Sequence, residues 1–405
     1  MSKKNLLNFK RICLLLFIFS LPFEYWDPFG IASFFSVTKM AGFMYAGVAL
    51  FIGKESFDQS IFKYIRLLLL LWILLVILSM LNYIGTNTVS IFNFSLIQNI
   101  LMYWLIATDI KKRNVHIKSI MLSFVLSIVL MSILLMFGIG LGQEFEEGVS
   151  RITFFENNPN TVGVLAGLAI VFSLYFILNP SKTFQKKGTL ALLALPGFIN
   201  LLMLSGSRGA LITTALSIVI MLIMNKSTPF KRILQFGLLV IATSYFLDKL
   251  MESEVMYKRL TQSIEEGSTG GRDEIWDNVV EIWSNKPFLG HGATGFETEI
   301  VKIYGVRKVS HNLFLYILVT TGIVGIFIFL YFFFFHIKRA VEEFKEGDVF
   351  KITILVFYLT TVVKTGGVIN NKLMWLLLAI IISASFYNIS KKAISNENSM
   401  FYRLS

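Results

Sequence analysis

Apolar stretches of about 20 residues recur along this chain, and each is long enough to cross a bilayer. About twelve can be marked by that length: near 12–29, 33–52, 65–84, 89–107, 117–140, 160–178, 189–204, 209–224, 233–248, 311–336, 352–369 and 373–389. Backbone polar groups must be paired inside lipid, so runs of this kind predict helices. The expected fold is an all-α membrane protein, one polytopic domain over residues 1–405. The opening "MSKKNLLNFKRICLLLFIFS" has the basic start and apolar stretch of a secretory signal. "LPFEYWDP" follows it in place of a small-residue cleavage site, so it reads as an uncleaved first span.

One link breaks the rhythm. Residues 249–309 separate the ninth run from the tenth, whereas the other links are far shorter. A long connection inside a compact fold is usually functional or disordered. Here "GGRDEIWDNVVEIWSNKPFLGHG" spaces Ile275, Trp276, Val279, Val280 and Trp283 as one face of a helix. Asp273, Asp277, Asn278 and Glu281 form the other face, Gly270-Gly271 precede, and Lys286-Pro287 end it. The spacing predicts an amphipathic helix able to lie on the membrane surface over the bundle.

Composition supports the pattern. The 405 residues are 55% hydrophobic and only 15% charged, more apolar surface than a soluble chain of this size could cover. The single cysteine, Cys13, excludes an internal disulfide, and no Cys/His cluster suggests a metal. Charge then orients the chain. With the N-terminus placed in the cytoplasm, most of the 37 Lys and Arg fall on inner links. Examples are Lys10, Arg11, Lys111, Lys112, Arg113, Lys338 and Arg339, while the 141–158 link is acidic, with Glu144, Glu146, Glu147 and Glu156. This positive-inside asymmetry puts both termini in the cytoplasm and the long link outside. The net charge of +12 thus reflects topology and anionic membrane lipid, not nucleic acid.

A few polar residues then stand out. Arg208, in "LSGSRGAL", lies between two apolar runs at the outer end of the eighth. A charge at a helix centre costs about 2.5–3.5 kcal/mol on insertion scales, so a cation here must either snorkel or hold something. The flanking small residues and the free N–H groups of a first helical turn suit an anion. Arg272 sits at the start of the amphipathic helix, where it is either a solvated loop arginine or a second cation on the same face. His311 opens the tenth run, behind Ser310, a fair N-cap. A helix N-terminus disfavours imidazolium, and a neutral ring accepts a proton; a bound anion would push the other way. Asn157, Asn158 and Asn160 flank Pro159, with Asn160 expected to cap the sixth run or to touch a sugar. Lys39 and Lys364 lie inside apolar runs, as snorkellers or as the lining of a lipid path. Glu24, Asp27 and Glu156 are alternative bases.

These strings together resemble the O-antigen ligase and polymerase superfamily of bacterial membrane glycosyltransferases. The resemblance rests on "FFENNPNTVGVLAGLAI" (154–170), "LSGSRGALI" (204–212), "GGRDEIWDNVVEIWSNKPFLGHGATGF" (270–296) and "SHNLFLYILVTTGIVGIFIFL" (310–330). "SGSRGA" alone is a weak signal; the ordered set is specific, strongest from about 150 to 335. The resemblance implies about twelve spans with a cavity on the outer face of the inner membrane. It implies transfer of a glycan from undecaprenyl diphosphate to an acceptor hydroxyl, with neither metal nor other cofactor. It makes Arg208, Arg272 and His311 the catalytic and diphosphate-binding residues, with Asn312 beside them as a further contact. The uninterrupted His311-Asn312, nine residues, then Gly322-x-x-Gly325 leans towards a ligase; a repeat-unit polymerase is the alternative. A transporter or flippase is the alternative of another class, but those favour repeats and broken helices near the midplane, and neither is apparent in the sequence.

Overall fold

A computed structural model describes residues 2–30, 36–85, 90–146, 148–179, 185–225, 247–265, 270–364 and 369–383, with isolated positions between 233 and 245. Helices stand at eleven of the apolar runs: α1 (Lys3–Ser20), α2 (Val37–Ile52), α3 (Gln59–Leu81), α4 (Phe94–Lys111), α5 (Ile117–Met136), α6 (Pro159–Leu178), α7 (Gln185–Ser205), α8 (Arg208–Met224), α12 (Leu313–Lys345), α13 (Phe350–Lys364) and α14 (Lys372–Ile382). The run at 233–248 lies largely outside the described residues. Among the described residues, five helical segments are long and apolar enough to cross a membrane: Lys3–Phe23, Gln59–Leu81, Ile117–Met136, Pro159–Leu178 and Leu313–Lys345. The others are shorter, such as α8 with 17 residues and α13 with 15, so length alone does not carry the count to twelve.

Side-chain caps start many of these helices. Ser36, Asp58, Asn158, Ser207, Asn312 and Asn371 each accept a first-turn N–H at α2, α3, α6, α8, α12 and α14. Two expectations change here. Asn158, not Asn160, caps α6, because Pro159 takes the first helical position and needs no donor partner. Asn312, not Ser310, caps α12. The architecture is otherwise all-α, but the acidic link folds into an antiparallel hairpin, β1 (Leu141–Glu146) and β2 (Val149–Phe154), in the register Glu144 with Arg151.

Contacts sort the links into two ends. At one end, Lys10 bonds Ser56 and Asp109 at 3.0 and 2.9 Å, and Lys351 bonds Glu343 at 2.9 Å. At the other, Asn157 bonds the Pro22 carbonyl at 2.8 Å, Glu24 pairs with Lys372, and Lys286 bonds Asn82 at 2.6 Å.

The long link contains three helices: α9 (Glu254–Glu265), α10 (Arg272–Ser284) and α11 (Gly292–Tyr304). The amphipathic helix forms with the expected bounds and packs on α12. Ile275, Val279 and Ile282 are buried and Val280 is 43% exposed, so the buried stripe is rotated from the expected one. The Trp276 indole donates to the Ser310 carbonyl at 2.9 Å and ties α10 to the turn carrying His311.

Residues 286–292 insert into a break in α12. Gly322 holds φ 63°, ψ −165°, a region open in practice only to glycine. The N–H groups of Ile323 and Val324 turn outward and donate to Pro287 and Phe288 carbonyls at 2.9 and 3.2 Å. The His291 N–H donates back to Val319 at 2.9 Å. A Cβ at Gly290 would stand 2.7 Å from the Gly322 nitrogen. The "KPFLGHG" and "TTGIVG" strings are therefore two halves of one backbone joint.

Candidate functional site

The hairpin, the α7–α8 turn, α9, α10 and the turn before α12 converge at one end of the bundle. Arg151, on β2, is almost fully buried. Its Nε donates to the Ser205 carbonyl at 2.9 Å and its Nη2 to Asn160 Oδ1 at 2.9 Å, and Nη1 pairs with Glu146. Ser207 donates to the same Asn160 oxygen at 3.0 Å. Arg259, buried on α9, donates to Glu146 Oε2 at 3.3 Å, and its main-chain oxygen accepts from Arg208 Nη1 at 3.1 Å.

The small residues around Arg208 serve protein packing rather than an open pocket. Gly206 holds φ +59°, and a Cβ there would meet Val255 at 2.8 Å and Arg259 at 3.2 Å. Gly163 lets α6 approach α8, since its Cβ would lie 2.9 Å from Ala210. Close approach through small residues is a common way for membrane helices to pack.

Electrostatics extends the group to Arg272 and His311. Burial alone would raise the Glu146 carboxyl; the charges of Arg151, Arg259 and Arg272 and the Arg151 hydrogen bond outweigh it and hold it below the usual range. The His311 ring is pushed down to about 4, first by burial and then by the Arg272 charge, with Glu146 opposing. His311 also holds φ 50°, a left-handed conformation uncommon outside glycine. It stands just before α12 instead of in its first turn, fixed between the Trp276–Ser310 bond and the Asn312 cap. The ring is half-buried and neutral at pH 7.

Arg208, Arg272 and His311, which lie far apart in the chain, are thus linked through Arg259 and Glu146: Arg208 by its bond to the Arg259 carbonyl, Arg272 and His311 by charge interaction with Glu146. The remaining expected contacts are placed differently. Asn157 is buried at 1% exposure and donates to Pro22 and Phe154 carbonyls. Asn158 and Asn312 spend their oxygens on caps. Lys39, half-buried on α2, lies within electrostatic reach of Lys372, Glu24 and Asp27. Lys364 is exposed at the end of α13. Asp27 accepts from the Phe29 N–H at 3.0 Å, and Glu156 is exposed in a turn at φ 64°. A narrow cleft of about 20 Å³, lined by Leu21, Glu24, Asn160, Thr361 and Leu373 among others, lies between the Glu24 side and Asn160.

Glu146, Arg151 and Arg259 did not emerge as site residues from the sequence. Glu146 counted only as part of an acidic link, and the alternation that makes 141–154 a hairpin is short and broken by Gly142 and Gly148. Among the described residues no group of three or more His, Cys, Asp or Glu is arranged to hold a metal.

A comparison with curated proteins found no match. Residues 189–330 match the family described as O-antigen ligase. That stretch runs from α7 through the long link into α12 and holds Arg208, Arg272, His311 and the Gly322 joint; Glu146 and Arg151 lie before it. Over residues 189–330, then, about a third of its length, this chain is similar to the O-antigen ligase family.

Proposed function

We propose that this chain is a multi-pass membrane protein of surface-polysaccharide assembly, a reading supported by its likeness to the O-antigen ligase family over residues 189–330 and by its apolar helices. We infer that it moves a glycan from undecaprenyl diphosphate to an acceptor hydroxyl, at the extracytoplasmic face of the cytoplasmic membrane, in the manner of a ligase. The supporting observation is the grouping of Arg208, Arg272 and His311 around Glu146 and Arg259.

In this reading the acceptor oxygen attacks the anomeric carbon. The bond from that carbon to the diphosphate oxygen breaks, and the electron pair leaves with the lipid diphosphate. Charge grows on that oxygen, and the Arg208 and Arg272 guanidinium groups stabilise it, their planar forks matching phosphate oxygens. Neutral His311 takes the acceptor proton. A ring with its pKa near 4 is a weak base, but a bound diphosphate would raise it, so the base strengthens when the donor is present. Glu146 is the resident anion that the diphosphate competes with for Arg272.

The test is reconstitution of the purified chain with undecaprenyl-diphosphate-linked glycan and an acceptor. Transfer of the glycan with release of undecaprenyl diphosphate is expected. Solute or lipid movement across the vesicle without transfer would overturn the reading. In cells lacking the protein, long chains left on the carrier lipid support a ligase, and single repeat units point to a polymerase.

A further inference from the structure

A second cavity lies at the opposite end of the bundle from the arginine group. It is an open hollow of about 380 Å³ between the start of α3, the end of α4, the last third of α12 and the end of α14. Four cations line it, Lys63, Lys111, Lys338 and Arg339, against one carboxylate, Glu342.

The cations divide into two kinds. Lys111 is held by Asp58 at 3.1 Å and by Ser60, and Arg339 by Glu343 at 3.0 Å and Glu342 at 3.6 Å. These form a fixed wall. Lys63 and Lys338 are exposed, and neither makes an ion pair with a described residue. The Lys63 ammonium stands 4.8 Å from the Tyr64 ring centre and 5.6 Å from that of Phe335, a geometry that orients a cation without neutralising it. Beside the cavity the same two helices expose Phe62, Tyr331, Phe334 and Ile337. An anionic headgroup fits the charge, and an acyl chain fits the apolar rim.

We propose that this basic cavity binds the phosphate headgroup of an anionic phospholipid, with its acyl chains along Phe62 and Phe334. Basic pockets between membrane helices on the side rich in Lys and Arg take such headgroups. A soluble phosphate shares the headgroup chemistry but gains nothing from the apolar rim, so the lipid is the better occupant. The site is separate from the arginine group and does not depend on the chain's activity.

The experiment is native mass spectrometry of the full chain, released from mixed micelles of phosphatidylglycerol and phosphatidylcholine. Wild type should retain phosphatidylglycerol in preference to phosphatidylcholine. A Lys63→Gln/Lys338→Gln variant should lose that preference, by roughly fivefold per lysine. A Lys54→Gln/Lys345→Gln variant removes two exposed lysines outside the cavity lining and should retain the lipid as wild type does. Added inorganic phosphate, at constant ionic strength, should not displace the lipid. Equal losses in the two double variants would reduce the effect to general surface charge and overturn the proposal. Displacement by phosphate alone would also overturn it, by making the occupant a soluble ion.

Discussion

The two ends of this bundle both concentrate charge, but they use it differently. At one end two carboxylates are locked away. Asp109 and Lys10 have 2% side-chain exposure each, and Glu343 and Lys351 have 0% and 1%. Tyr45 and Asn114 complete the Asp109 shell at 2.7 and 2.8 Å. At the other end Glu146 is shared by Arg151 and Arg259, with Arg272 in range, and its side chain is 38% exposed. A closed pair fixes structure, because nothing from outside can compete for either partner. An open carboxylate among guanidinium groups can be displaced by another anion. Burial, rather than the number of charges, separates the structural end from the candidate site.

The largest test of this contrast is at the closed end. Asp109→Ala leaves the Lys10 ammonium buried without its partner and should cost about 3–5 kcal/mol. Thermal unfolding in detergent should report that loss, while the fraction still folded keeps its transfer rate. A variant as stable as wild type would remove the distinction between the ends.

At the open end the order reverses. Arg208→Ala or Arg272→Ala should lower transfer on the order of 10²–10³-fold, by analogy with removal of an oxyanion donor, with little change in unfolding temperature. Lysine at either position should restore only part of the rate, since it keeps charge but not the fork. A full rescue by lysine would argue for charge alone.

Intermediate in size is the joint between the long link and α12. Gly322→Ala strains a glycine-only conformation and pushes a Cβ against the Phe288–Leu289 backbone. A loss of roughly 1–3 kcal/mol is expected from the strain alone, along with faster proteolysis near residues 286–292. Unaltered proteolysis would mean that the insertion does not depend on this glycine.

The pH response of His311 tests the open end in another way. Its folded pKa of about 4 lies below its ordinary value of 6.5, so the unfolded chain binds this proton more readily. Its contribution to stability is complete above 6.5 and is lost as pH falls from 6.5 towards 4. His311→Gln should flatten the unfolding profile in that window. The pH dependence of kcat/KM should report the free-enzyme value near 4, and that of kcat a higher one, because the bound diphosphate favours the proton. Identical pH profiles for the two constants would argue against an anion beside His311.

The helices were largely legible because hydropathy acts locally: eleven of the apolar runs coincide with described helices. Arg208, Arg272 and His311 stood out for a local reason as well, Arg208 and His311 at the edge of an apolar run and Arg272 as the cation that opens the amphipathic helix. Their counterion did not. Glu146 pairs with Arg151 across the hairpin but also with Arg259, 113 residues away, and no local pattern carries that second pairing. The caps show the same limit. Asn158 and Asn160 are equally good capping residues by type, and Pro159 decides between them by occupying the first helical position. The glycines of "TTGIVG" looked like part of a signature for activity. Their place in the fold gives Gly322 a backbone reason, a break that receives residues 287–292.

The account rests on Arg208 and Arg272 sharing one diphosphate. The most direct measurement is the affinity of the purified chain for undecaprenyl diphosphate, in wild type, Arg208→Ala, Arg272→Ala and the double variant. Each single variant should bind at least about tenfold more weakly, the loss of a charge-assisted hydrogen bond. The double variant should fall short of the product of the two, since both groups act on one ligand. Wild-type affinity in both single variants would contradict the account.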